Sequence, residues 1–314
     1  MVLSETTRAY FIEGLIQVPI SLILNLIVIY GNALHLRKLA PSSFLIYWIC
    51  VCDATINAIS LYIMVQQYSA GSLGIEATLC QTLAFFTTLC GCSSIGLCAG
   101  LTFFRYLIVV REWNLSSKFV HCYVLTVFFL PSALLSIPFI LHSENVTYGL
   151  SISNTMCAIQ WQDTQLESKI VAWCCIILLS IPLSFIGFAY ASIYWKTNKS
   201  VEEMKVSGVM RVVSTASRSE YETRGPPELE RTTKNETTCL LLLQSIALVS
   251  VFVIGWGPYM GNVLYQAITH NQLPPVWDYI TEMIVVVMHA VNPILALVFD
   301  VEMRKHVTHI FLSS

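Results

Sequence analysis

Charge is what this 314-residue chain has least of: Asp, Glu, Lys and Arg together make up 11% of it, against about 25% in soluble domains. With 55% hydrophobic residues beside so little charge, a water-exposed globule is excluded, and the composition is that of a polytopic membrane protein. Other features are missing as well. No internal repeat, nucleotide-phosphate loop, metal-spaced His/Cys set or catalytic constellation is present, so neither an enzyme nor a nucleic-acid partner is expected. The stretch ahead of the first long apolar run shows no cleavage site, and that run is expected to direct insertion itself.

Seven apolar runs have spanning length, at about 11–35, 44–66, 79–106, 119–141, 168–195, 238–265 and 277–299. An odd number of crossings puts the two ends on opposite sides. Of the 17 Lys and Arg, Arg8 and Lys169 fall on the N-terminal side, and the other 15 lie in segments 36–43, 105–118, 196–234 and 304–305. Excess Lys and Arg marks the cytoplasmic side, so the N-terminus is expected outside and the C-terminus inside. The segment from Asp300 to about residue 311 reads as a short amphipathic helix on the inner surface. The loop from Lys196 to Thr238 is polar and of mixed charge.

Several residues stand at informative spacings. The 25 positions from Cys80 to Arg105 cover roughly 38 Å as a helix, which sets a thiol and a guanidinium at opposite faces of a bilayer. Asn25 lies 16 residues before Pro41 and 28 before Asp53. Both Asn25 and Asp53 fall at mid-membrane depth, where an unpaired amide or carboxylate is costly, so each needs a partner and Asp53 is a candidate partner for Asn25. Pro182 and Tyr190 stand eight apart in the fifth run. Pro258 should kink the sixth run just beyond Phe252 and Trp256, which share one helical face. The seventh run closes on Asn292-Pro293-Ile-Leu-Ala296.

Together these motifs resemble rhodopsin-like G-protein-coupled receptors over nearly the whole chain. The resemblance implies an all-α seven-transmembrane bundle in one domain, at the plasma membrane, with a heterotrimeric G protein as inner partner and an unidentified extracellular ligand. It further implies that Cys80 bridges to the second outer loop, where Cys157 and Cys80 are the two of 11 cysteines at or beyond the outer surface. G-protein coupling would fall to Arg105, Tyr106, Trp113 and Tyr190. The activation switch would comprise Ile95, Pro182, Phe252, Trp256, Pro258, Asn292 and Pro293. A polar cluster would join Asn25, Asp53, Ser94 and Asn292. Sodium is linked to that cluster in the family, but Met288 and His289 stand where further oxygen ligands are usual, so only a weak site at Asp53 and Ser94 is in view and no firm metal site is assigned.

The ligand pocket implied by the family takes in Thr87, Thr88, Trp256, Tyr259 and Glu282, an apolar aromatic floor with one acid. Thr87 stands where amine receptors carry an Asp, so a simple amine is disfavoured. Val286 stands where retinal-binding opsins carry a Lys, so no cofactor is expected. Among the glycosylation sequons, Asn145 is the one on the outer side. Two departures weaken the signalling pattern, Phe104 in place of the acid before Arg105 and Ala296 in place of a Tyr. They keep open the alternative of a seven-helix transporter or a non-signalling scaffold.

Overall fold

The computed structural model describes residues 5–70, 75–113, 115–140, 148–151, 156–164, 166–206, 250–251 and 253–312. The helices are α1 (Glu5–Ala33), α2 (Pro41–Ala70), α3 (Ala77–Arg111), α4 (Ser117–Leu135), α5 (Leu166–Val206), α6 (described over residues 250–251 and 253–269), α7 (Pro275–Phe299) and α8 (Val301–Leu312). Six of them, α1 to α5 and α7, are long and apolar enough to cross a membrane. Continuous apolar sequence gives such helices because a backbone in hydrocarbon must satisfy its own N–H and C=O groups. Of the expected span 238–265, residues 238–249 lie outside the described residues, as do Phe252, Asn145 and most of the loop between α5 and α6.

Boundaries shift where local chemistry intervenes. The run expected to reach residue 141 stops at Leu135, because the Ser136 hydroxyl turns back onto the Ala133 carbonyl at 2.8 Å and a separate helical turn, Ile137–Ile140, follows around Pro138. The fifth helix runs past the expected residue 195 to Val206. A short 3₁₀ turn, Leu36–Lys38, links α1 to α2.

Packing is densest where α2 meets α1 and α3, through a core of Val28, Leu45, Ile49, Cys50, Leu97 and Phe104. Gly100 of α3 is required there, since a Cβ would collide with the ring of Tyr123 on α4. At one end of the bundle β1 (Tyr148–Leu150) and β2 (Cys157–Ile159) form an antiparallel hairpin with Leu150 opposite Cys157. The hairpin lies against α3 and is anchored by the Tyr148 hydroxyl, which donates to the Leu135 carbonyl at 2.7 Å. Burial of Tyr148 pushes its phenol well above the ordinary value. At the other end α8 turns sharply after Asp300 and docks on α1, with Gly31 making room for Val307.

Candidate ligand cleft, polar layer and arginine end

Cys80 and Cys157 are joined by a disulfide with Cα atoms 5.4 Å apart, so β2 is held to the start of α3. Beneath the hairpin lies a cleft lined by Gln160, Trp161, Tyr259, Asn262, Asp278 and Glu282, among others. Of the five expected pocket residues, Tyr259 and Glu282 line it. Thr87, Thr88 and Trp256 do not. Trp256 instead packs with Cys92, Ile95, Leu179 and Met260, close under Gly91 of α3, and meets the cleft-lining Tyr259 edge-on at 6.0 Å.

Glu282 is expected in this cleft from the sequence, whereas its polar neighbours are not. Asp278 lies one turn away on α7, 5% exposed, and accepts from Asn262 Nδ2 at 3.2 Å. Asn262 also reaches the Thr281 hydroxyl at 3.2 Å and accepts from Gln266 Nε2 at 2.6 Å. A signal for them does exist: Asn262 and Gln266 are four apart on α6, as Asp278 and Glu282 are on α7, and i, i+4 pairs share a helix face. The cleft therefore combines two buried carboxylates with amide side chains and two aromatic rings. It can accept hydrogen bonds or a positive charge, and its apolar walls strengthen either contact.

Deeper in the bundle Asp53 of α2, fully buried, gathers side chains from α3 and α7. His289 Nδ1 stands 2.8 Å from Oδ1, Asn292 Nδ2 donates to Oδ2 at 2.8 Å, and the Ser94 hydroxyl is 3.5 Å from Oδ1. Asn25 belongs to this layer without touching the acid as expected. Its amide donates to the carbonyls of Ser21 and His289, both at 2.9 Å, since those carbonyls flank it on α1 and α7 while His289 occupies the side of Asp53 it would have to approach. Asn57, one turn from Asp53, donates to the Ser21 hydroxyl and the Asp53 carbonyl, each at 2.8 Å. His289 is the residue whose role the sequence conceals, because a lone His in an apolar run carries no spacing signature.

A sodium ion fits this layer poorly. The ion is hard and needs several oxygens, whereas both carboxylate oxygens of Asp53 face nitrogens, of His289 and of Asn292. Among the described residues no three His, Cys, Asp or Glu side chains form a metal-binding group.

At the far end of α3, Arg105 is buried to 7% exposure and Tyr106 packs its ring against Phe185 and Phe188 of α5. Phe104 turns away into an aromatic group with Phe119 and Tyr123 of α4, ring centroids 5.8 and 5.3 Å away. Tyr190 lies 3.5 Å from the Thr102 hydroxyl, and Trp113 is 63% exposed just after the helix ends. Ile95 joins the Trp256 cluster, with Tyr190 at its margin, while Pro182 lies inside α5 and Pro258 inside α6. Ala296 is 2% exposed and faces Ile46, Ile49 and Cys50 of α2 across a small apolar void. One contact has no counterpart in the sequence pattern: Lys196 reaches from α5 to Glu112 and to the Val110 carbonyl, both at 2.9 Å.

A sequence model described as 7 transmembrane receptor (rhodopsin family) matches residues 24–295. The chain belongs to the rhodopsin family of seven-transmembrane receptors. Among relatives of this receptor, the rhodopsins of Cambarus maculatus and Procambarus orcinus are 24% and 23% identical over 224 residues, covering 68% of each chain. The crystal structure of squid rhodopsin shares the receptor's fold at a TM-score of 0.76 and 17% identity, covering 99% of this chain and 90% of that one. The Cys80–Cys157 bridge, Asn292-Pro293 and the buried Arg105 thus sit in a bundle of the family's architecture.

Proposed function

We propose that the chain is a plasma-membrane receptor that carries an extracellular ligand signal to a heterotrimeric G protein and performs no catalysis. Family membership supports the coupling, and the concentration of Lys and Arg at the Arg105 end supports an inner position for that end. The cleft under the disulfide-tethered hairpin then opens outward. One observation carries the ligand reading: Glu282, 2% exposed, lines that cleft next to Asp278. A carboxylate at this depth serves a ligand that presents a cation or hydrogen-bond donors. Such a ligand is anchored on α7, which carries both acids of the cleft, Asp278 and Glu282, and this sets it apart from a simple amine held by an acid on α3. Retinal bound as a Schiff base requires an amine, and Val286, buried among Val18, Met64 and Met283, has none.

Ligand engagement would shift an existing equilibrium and let the inner ends of α5 to α7 admit the G protein beside Arg105, Tyr106, Trp113 and Tyr190. Trp256, in contact with Ile95 and edge-on to His289 at 6.2 Å, links the cleft floor to the polar layer. Asn145 is the proposed glycan site on the outer side. The test is G-protein dissociation in cells expressing the chain, which should fall to background in Arg105→Ala at equal surface expression. Solute transport untouched by that change would favour a transporter. Once an agonist is found, its potency should drop in Glu282→Gln, and unchanged potency would remove Glu282 from the ligand site.

A further inference from the structure

A carboxylate buried at mid-membrane needs a positive or donor group close by, and Asp53 has that group supplied from within the chain. His289 Nδ1 lies 2.8 Å from Oδ1, and the two side chains are 1% and 0% exposed. Asn292 covers Oδ2 at 2.8 Å, and the Ser94 hydroxyl stands at the edge of Oδ1. The imidazole is held from behind: Asn25 clamps the His289 carbonyl, and the Trp256 ring meets the imidazole edge-on. From α2 and α3 the thiols of Cys50, Cys90 and Cys98 also lie within electrostatic reach of Asp53, and none of them offers hard oxygen. We propose that His289 takes the place of a bound cation at Asp53, cross-linking α2 to α7 from within, so that the receptor binds no sodium in this layer.

Occupancy and donor chemistry both act against the ion. Sodium prefers five or six oxygens at short range, so each nitrogen donor turned towards the carboxylate removes a ligand position and opposes the ion electrostatically. The amide oxygens of Asn25 and Asn57 are buried and accept no hydrogen bond among the described residues, which makes them the oxygens a cation would turn to if the imidazole were absent. Replacing His289 by Ser removes the ring and adds a hydroxyl. That single change exchanges a nitrogen beside the Asp53 carboxylate for a hydroxyl in a layer that also holds the two buried amide oxygens.

The experiment needs no ligand. The full-length receptor, purified in detergent micelles, is unfolded thermally while tryptophan fluorescence is followed, in sodium chloride and in choline chloride at equal ionic strength. Wild-type protein should show the same midpoint in both salts. His289→Ser should unfold at lower temperature in choline and gain on the order of 2 °C or more in sodium, and Asp53→Asn placed in that background should abolish the gain. If His289→Ser does not yield folded protein, His289→Asn serves in its place, and sodium NMR line widths measured on the wild type give an independent reading. Sodium-dependent stabilisation or sodium line broadening in the wild type overturns the proposal. So does a lack of sodium dependence in both histidine variants, which would mean that something other than His289 keeps the ion out.

Discussion

Two layers of this receptor hold neighbouring helices together by different means. Around Asp53, α1, α2, α3 and α7 are joined by side-chain hydrogen bonds of 2.8 to 3.5 Å among Asn57, Ser21, Asp53, His289, Ser94 and Asn292. At the Arg105 end rings and aliphatic chains add to polar ties such as Lys196 to Glu112 and Ser43 to Asp300, with Phe104 on Phe119 and Tyr123 and Ala296 opposite Ile46 and Ile49. Directional bonds in a low-dielectric layer cannot slide without leaving a charge unpaired, whereas apolar contacts exchange neighbours at small cost. The polar layer therefore acts as the fixed part of the bundle. The arginine end, with more apolar contact, is expected to rearrange at lower cost.

The hardest way to break that contrast is to remove one partner of the buried pair. His289→Leu leaves the Asp53 carboxylate buried against an apolar side chain, which should cost about 3–5 kcal/mol and appear as a large loss of surface expression and of thermal midpoint. The double change Asp53→Asn/His289→Leu should recover much of it, because no unpaired charge remains; equal loss in both variants would show that packing rather than charge dominates. Next in size is the covalent tie at the cleft. Cys157→Ser should destabilise by about 2–4 kcal/mol and lower surface expression, and thiol labelling of both residues on intact unreduced cells would contradict the bridge.

The contrast is sharpened by a polar change at the apolar end. In Phe104→Asp an acid stands beside Arg105, an ion pair that would favour the resting arrangement by on the order of 1 kcal/mol, about five-fold in the equilibrium. Basal G-protein activation per surface receptor should fall, although the lost aromatic packing also costs stability, of order 3 kcal/mol, and reduces the amount at the surface. A rise in basal signalling would show that the aromatic group, not a missing ion pair, holds the resting state. Ala296→Tyr should raise ligand-driven signalling, because the tyrosine must leave its tight apolar wall and is accommodated better when the inner ends part. A response unchanged from wild type would show that the void beside α2 simply absorbs the ring.

The smallest effect concerns α8. His306 stacks on His35 at a centroid distance of 4.1 Å, and its Nδ1 lies 3.0 Å from Asn32 Oδ1. Burial first, and the His35 ring second, hold the His306 imidazole below its ordinary value of 6.5, against a weaker pull from Glu302 and Asp300. A lowered value in the docked state means that docking releases protons. Docking of α8 should be complete above pH 6.5 and weaken as pH falls towards the depressed value. Hydrogen exchange of residues 301–312 should accelerate on acidification in wild type and show a smaller change in His306→Gln.

Much of this architecture is legible in the sequence. The spans follow from hydropathy, because a bilayer imposes one length scale on every helix that crosses it. The Cys80–Cys157 bridge is legible because the positive-inside reading and the family resemblance both place these two cysteines at the outer surface, and the α8 segment because Asp300 begins an amphipathic turn that it also caps, accepting from the Met303 amide at 3.0 Å. What spacing does not reveal is which side chains meet across helices. Asn25 and Asp53 do share one depth, yet each bonds elsewhere, because rotation about a helix axis is set by packing against neighbours and not by position along the chain. Composition and hydropathy thus determined a polytopic membrane protein and the depth of its polar residues, and the motif spacings carried its resemblance to this family. Only the tertiary structure decided that His289 faces Asp53, that Asp278 and the Asn262–Gln266 pair join Glu282 in the cleft, and that Phe104 turns to α4. Those choices depend on angles between helices, which no single helix encodes.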